Sequence, residues 1–223
     1  MTTATLTLAR SSVARKAVMG LTGLGLCGFV LSHMAGNLLL FKSAEAYNMY
    51  GHQLTHNPIY PLLAWGIVGM LVLHFLCAMS LTYENFQARE QRYAVSGGAQ
   101  KSVSLASKTM AATGLMLLAF IILHLLDFKY GAHYTIVHSG VEVRDLQRLV
   151  VEKFHQPLYV IGYCVSLALL GCHLKHGFAA CFQSLGFGHP LWTKRIRLLA
   201  LIYAAVVALG FMSQPIYVYF YQG

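Results

Sequence analysis

The chain has 223 residues, 57% of them hydrophobic and 10% charged, with a formal net charge of +9. Charged residues make up about a quarter of a soluble domain, so this composition excludes a water-covered globule and suits a bundle whose solvent is lipid. The positive excess does not point to nucleic acid, because the basic residues sit at the ends of apolar runs, where they read as membrane topology.

A spanning helix needs roughly 20 mainly apolar residues. Five stretches meet that length: about 17–41, 60–82, 105–128, 157–182 and 196–220. The expected fold is therefore all-α, a single membrane domain over residues 1–223 built as an integral bundle of five transmembrane helices. The first run begins after Arg10, Arg15 and Lys16. It is too long for the apolar part of a signal peptide and has no clear cleavage site, so it is expected to stay in place. Inside it, Gly23–Gly28 reads GLGLCG. That pattern matches a dinucleotide fingerprint, but the fingerprint needs a preceding strand and a βαβ unit, so the match is chance. Gly20, Gly28, Ser32 and Gly36 share a stripe beside His33 that permits close approach of a helix or a flat macrocycle.

The second run holds His74 and the third holds His124. Between the third and fourth lies a long loop, residues 129–156, in which Glu142–Phe154 spaces apolar residues at helical intervals among charges. It reads as an amphipathic helix on the membrane surface. The fourth run carries His173 and His176, and the fifth carries Pro215 near its end. Pro61 and Pro157 sit at helix starts, where a missing N–H costs nothing.

Orientation follows from Lys and Arg. An inside N-terminus gives the inner face Arg10, Arg15, Lys16, Arg89, Arg92, Lys101, Lys108, Lys175, Lys194, Arg195 and Arg197. The outer face then has only Lys42, Lys129, Arg144, Arg148 and Lys153. The positive-inside rule predicts a cytoplasmic N-terminus and an outer C-terminus.

An imidazole at membrane depth is costly and points to function. With a rise of about 1.5 Å per residue, His33 and His124 fall in the outer half of the bilayer. His74 and His176 fall in the inner half, with His173 three residues from His176 and roughly on the same face. Two histidine pairs at two depths, each from two helices, are what two bis-imidazole b-type haems need. No CxxCH is present, which argues against covalent haem attachment. The five cysteines lie in apolar stretches without a CxxC pair and read as small buried hydrophobes. Near the outer pair, Glu45, Asp127 and His52 are the available candidate proton acceptors. Near the inner face, Arg15, Lys16 and Lys175 suit haem propionates. The other loop histidines, His56, His133, His138, His155 and His189, read as interfacial.

From Ser12 to Tyr219 the chain resembles the cytochrome b subunit of succinate:quinone oxidoreductases, the succinate dehydrogenases and fumarate reductases, in the single-chain dihaem form. The resemblance lies in SSVARKAVMGLTGL, SHMAGNLLLF around His33, EAYNMYGH, LHFLCAMSLTYENFQAR around His74, ILHLLDF around His124 and LKHGFAACFQSLG around His176. It implies haem iron ligands at His33, His124, His74 and His176, the last because the family pattern has His followed by Gly. It also implies a flavoprotein and an iron–sulfur protein as partners, a quinone as substrate, usually menaquinone, with Glu45, Asp127 and His52 as candidates for its site, and a place in the bacterial cytoplasmic membrane. Dicarboxylate chemistry would lie on the partner chains. Competing readings are the cytochrome b of a hydrogenase or formate dehydrogenase, a haem-free transporter using membrane histidines, and a purely structural anchor.

Overall fold

The computed structural model describes residues 11–87 and 105–222, with side chains in the second stretch from 109 onward. Arg10, Arg89, Arg92 and Lys101 lie outside the described residues, as does the side chain of Lys108.

The chain is mostly helical. Helix α1 spans Ser12–Asn37 and continues as a 3-10 turn over Leu38–Phe41. α2 covers Ala44–Thr55, α3 Tyr60–Gln87 and α4 Leu105–His124, the last continued by a π-helical turn over Leu125–Lys129. A hairpin of β1, Thr135–His138, and β2, Val141–Arg144, leads into α5, Leu146–Phe154. α6, Pro157–Ser184, and α7, Pro190–Tyr221, complete the chain. Five helices among the described residues are long and apolar enough to cross a membrane: α1, α3, α4, α6 and α7. At 1.5 Å per residue, the 28 residues of α3 or α6 reach about 42 Å, past a hydrocarbon core of about 30 Å.

Local chemistry sets the helix ends. The Ser11 hydroxyl accepts from the Ala14 N–H, Ser43 from Ala46 and the Asp145 carboxylate from Arg148, each satisfying an orphan donor of a first turn. Pro157 and Pro190 occupy first-turn positions. α7 runs on through Pro215 to Tyr221.

α1 lies against α3, α6 and α7, while α4 packs on α6. Cys27, Leu174, Ala204 and Val207 form a buried cluster where α1, α6 and α7 meet. A second cluster, Leu40, Val150, Phe154 and Val218, seals one end of the bundle. α2, the hairpin and α5 gather at that end, where Gln147 also meets Gln222 near the C-terminus. The opposite end holds the start of α1 and the end of α3, tied by Arg15 and Glu84 at 2.6 Å.

Two expectations need correction. The all-α reading missed the hairpin, and the expected helix over Glu142–Phe154 begins only at Leu146. Glu142 pairs with Val137 and Val143 with Ile136 instead. The turn between the strands places both Ser139 (φ 52°) and Gly140 (φ 80°) in the left-handed region. That combination makes the tight turn whose twist suits a two-residue hairpin. α2 was also unforeseen within the first loop.

Candidate functional site

His33 on α1 and His124 on α4 face one another. Their ring centroids stand 5.9 Å apart, with planes at 80°. Phe29 stacks on His33 at 5.4 Å, and Phe211 of α7 lies 5.7 Å from it. Phe120, Phe128 and Tyr163 surround His124. The Tyr163 hydroxyl lies 3.4 Å from His124 Nδ1. Beside His33, Asn37 Nδ2 donates to the His33 carbonyl at 2.8 Å, and Tyr47 donates to Asn37 Oδ1 at 2.8 Å. Burial pushes the Tyr47 phenol up to about 12, so it remains a proton donor at neutral pH.

His74 lies at the other level of the bundle, near the start of α1. Its Nδ1 is 3.1 Å from the Met19 carbonyl. A carbonyl only accepts, so Nδ1 carries the proton and Nε2 keeps its lone pair. Thr22 adds a second contact to the same nitrogen at 3.4 Å, while its own hydroxyl donates back to the Val18 carbonyl at 2.8 Å. His173 repeats the motif. Its Nδ1 lies 3.1 Å from the Thr113 hydroxyl, which donates to the carbonyls of Thr109 and Met110. The Thr113 oxygen is therefore the acceptor and His173 Nε2 the free base. An imidazole whose second nitrogen is pinned this way is the usual form of a metal-ligating histidine.

Glycine makes room for both inner rings. A Cβ on Gly23 would stand 2.8 Å from Cys181 Sγ and 3.2 Å from His74 Cε1. A Cβ on Gly114 would touch His173 Cε1 at 3.4 Å. The stripe on α1 is mixed: Gly20 packs on the Cys181 carbonyl, Gly36 on the Tyr50 ring, and Gly28 has no atom within 4 Å of a built Cβ.

His173 rather than His176 is the α6 histidine held by α4. His176 is half-buried, and among the described residues its imidazole has no such partner. Sequence reasoning passed over Thr22 and Thr113, whose only signal was a hydroxyl residue amid apolar neighbours.

The three quinone candidates fall in three neighbourhoods. The Asp127 carboxylate meets Lys153 Nζ at 2.6 Å and the Tyr159 hydroxyl at 3.3 Å. Glu45 accepts from Ser139 at the hairpin turn, 2.8 Å away. His52 stacks on His56. Of the propionate candidates, Arg15 binds Glu84 and Ser80 of α3, and Lys16 and Lys175 are exposed.

The donor set suits a haem. A metal–imidazole bond of about 2 Å on each side of one iron puts two ring centroids roughly 6 Å apart, close to the spacing of His33 and His124. Among the described residues no three His, Cys, Asp or Glu side chains gather as a bare ion would require, whereas a haem asks the protein for only two.

Among the described residues the chain is thus mostly helical, with five apolar helices that could span a membrane and histidines at two levels. No known protein family, curated protein or solved structure matches it.

Proposed function

We propose that this chain is the dihaem cytochrome b anchor of a succinate:quinone oxidoreductase, joining an iron–sulfur subunit to membrane quinone, menaquinone by the resemblance. The observation that carries the reading is the opposition of His33 and His124 at 5.9 Å, at a different level from His74. It is supported by the pinned Nδ1–H of His74, which leaves Nε2 as a ligand. A haem bound at each level supplies a one-electron centre, and two in series bridge the bilayer.

His33 and His124 would hold one haem. For the other, His74 takes its partner from α6, where the Thr113 contact favours His173 over the His176 that the family pattern suggests. Arg15, Lys16 and Lys175 are the candidate cations for haem propionates. Asp127 is the foremost quinone candidate. It shares a helix with His124, and Tyr159 and Tyr163 lie on the α6 face between them. The distribution of Lys and Arg supports a cytoplasmic N-terminus; the resemblance adds a bacterial inner membrane, with the flavoprotein and iron–sulfur partners on that side.

Purified protein should show about two b haems per chain in a reduced-minus-oxidised spectrum and pyridine haemochrome count. A haem-free protein would sink the reading.

A further inference from the structure

The two sides of α7 differ. Ala200, Ala204 and Val207 are buried on one side. On the other, Leu198, Leu199, Ile202 and Val206 are each at least 50% exposed. Their spacing gathers them into one apolar stripe along the helix. From Arg195 to Val206 the helix rises about 16 Å, half of a hydrocarbon core of about 30 Å. Lys194 and Arg195 are exposed at the head of the stripe and flank it, about 100° apart around the axis. The Arg195 guanidinium stands over the Trp192 ring, 5.4 Å from its centroid. A Trp in this position marks the boundary between hydrocarbon and headgroups. No Asp or Glu follows Glu152 in the sequence. Among the described residues no carboxylate pairs with Lys194 or Arg195. Cations near the N-terminal end of a helix oppose its dipole, so α7 gains nothing from them by itself, whereas an anion from outside would answer both.

We propose that this face of α7 is a binding site for an anionic phospholipid. The headgroup phosphate takes charge-assisted hydrogen bonds from Lys194 and Arg195. Trp192 steadies the guanidinium at headgroup level through its ring face. The acyl chains lie along the stripe below, from Leu198 to Val206. The order of the residues selects this occupant. A soluble anion has no use for 16 Å of apolar surface, on the rise of about 1.5 Å per residue. The acidic face of a soluble protein cannot follow that surface into hydrocarbon. Only a molecule that joins an anionic head to alkyl chains covers both parts. A zwitterionic lipid shares the chain contacts but brings its own ammonium, so discrimination rests on the two cations. Each basic residue near a bilayer surface raises affinity for anionic lipid by about fivefold. Nothing in this site depends on the haem reading.

The test uses the purified full chain, delipidated in a neutral detergent and titrated with dioleoylphosphatidylglycerol or dioleoylphosphatidylcholine, with bound lipid counted by native mass spectrometry. The first phosphatidylglycerol should bind at least about tenfold more tightly than the first phosphatidylcholine. Lys194→Gln and Arg195→Gln should each cut that preference by about fivefold, and the double variant by about tenfold or more. Arg148→Gln, at the opposite end of the bundle, should leave it unchanged. Glycerol 1-phosphate, the headgroup without its chains, should displace no lipid at equal concentration. Size-exclusion profiles and thermal midpoints matching the parent establish that each variant is folded. Equal affinity for the two lipids overturns the proposal, as does a double variant that keeps the parent's preference. Displacement by glycerol 1-phosphate overturns it too, since it would reveal a phosphate site that makes no use of the stripe.

Discussion

His33 and His124 come from helices that start more than 90 residues apart, yet their rings close to 5.9 Å. The two helices rise from the same end of the bundle, so residues at similar distances along each reach the same level. That shared level sets the first prediction. Replacing either His33 or His124 with Ala should lower the haem count from about two to about one per chain, with the other haem still reducible. A variant that keeps both haems removes that ligand assignment.

The inner level separates two histidines one helical turn apart. His173→Ala should remove one haem and His176→Ala should not, because Thr113 orients only the former. Thr113→Val should keep the haem but loosen it, read as faster loss to an apo-globin acceptor. Haem loss in His176→Ala alone would return the assignment to the family pattern.

Gly23 tests how closely α1, α3 and α6 meet. A Val there places its Cβ 2.8 Å from Cys181 Sγ and 3.2 Å from His74 Cε1. Overpacking of this kind costs about 1–3 kcal/mol. The thermal midpoint in detergent should fall and the haem held by His74 should be lost first. Gly28→Ala, with nothing within 4 Å of its Cβ, is the control and should leave the midpoint in place.

Much of this arrangement was legible in the residues. The five apolar runs announced themselves by length alone, and the two levels of histidine followed from counting along them. What stayed hidden depended on contacts made at a distance. α2 carries polar residues on several sides, and its Asn48 is buried only because Asp145 and Gln147 arrive from the third loop. The charged segment after Gly140 alternates as a strand for four residues before becoming helical, and helical spacing of its apolar residues concealed the change. The π-helical turn after His124 was equally silent, although Gly131 marks it. A Cβ at that position would collide with the Asp127 carbonyl.

Lys153 links α5 to the end of α4 through Asp127. The carboxylate beside it raises the ammonium above its ordinary value. A cation raised on folding contributes stability that is fully present below its unfolded value of about 10.4 and lost as pH rises through the folded value. The midpoint should therefore hold its Lys153 contribution from neutral pH to about pH 10 and lose it above that. Lys153→Met should cost about 1 kcal/mol at pH 7, reduced by partial solvent exposure, and should flatten the alkaline fall. A variant with the parent's alkaline profile would show that another group controls it.

Asn48 is fully buried, with 0% exposure. It donates to Asp145 Oδ1 at 2.9 Å and accepts from the Gln147 N–H at 3.0 Å. Asn48→Ala strips partners from both and should cost about 1–3 kcal/mol. Limited proteolysis should then cut within residues 129–156 sooner than in the parent, and an unchanged cleavage rate would dismiss Asn48 as the latch of that segment.

The same amide imposes a timetable on the nascent chain. Asn48 emerges with the first loop, but its partners are synthesised almost a hundred residues later, beyond two further apolar helices. Until α4 has been threaded and the hairpin delivered to the same end, α2 has no lid and its central amide faces solvent. Closure of the cap is therefore a late event in biogenesis, and a chain arrested after α3 would present α2 unlatched to any quality-control protease on that side of the membrane.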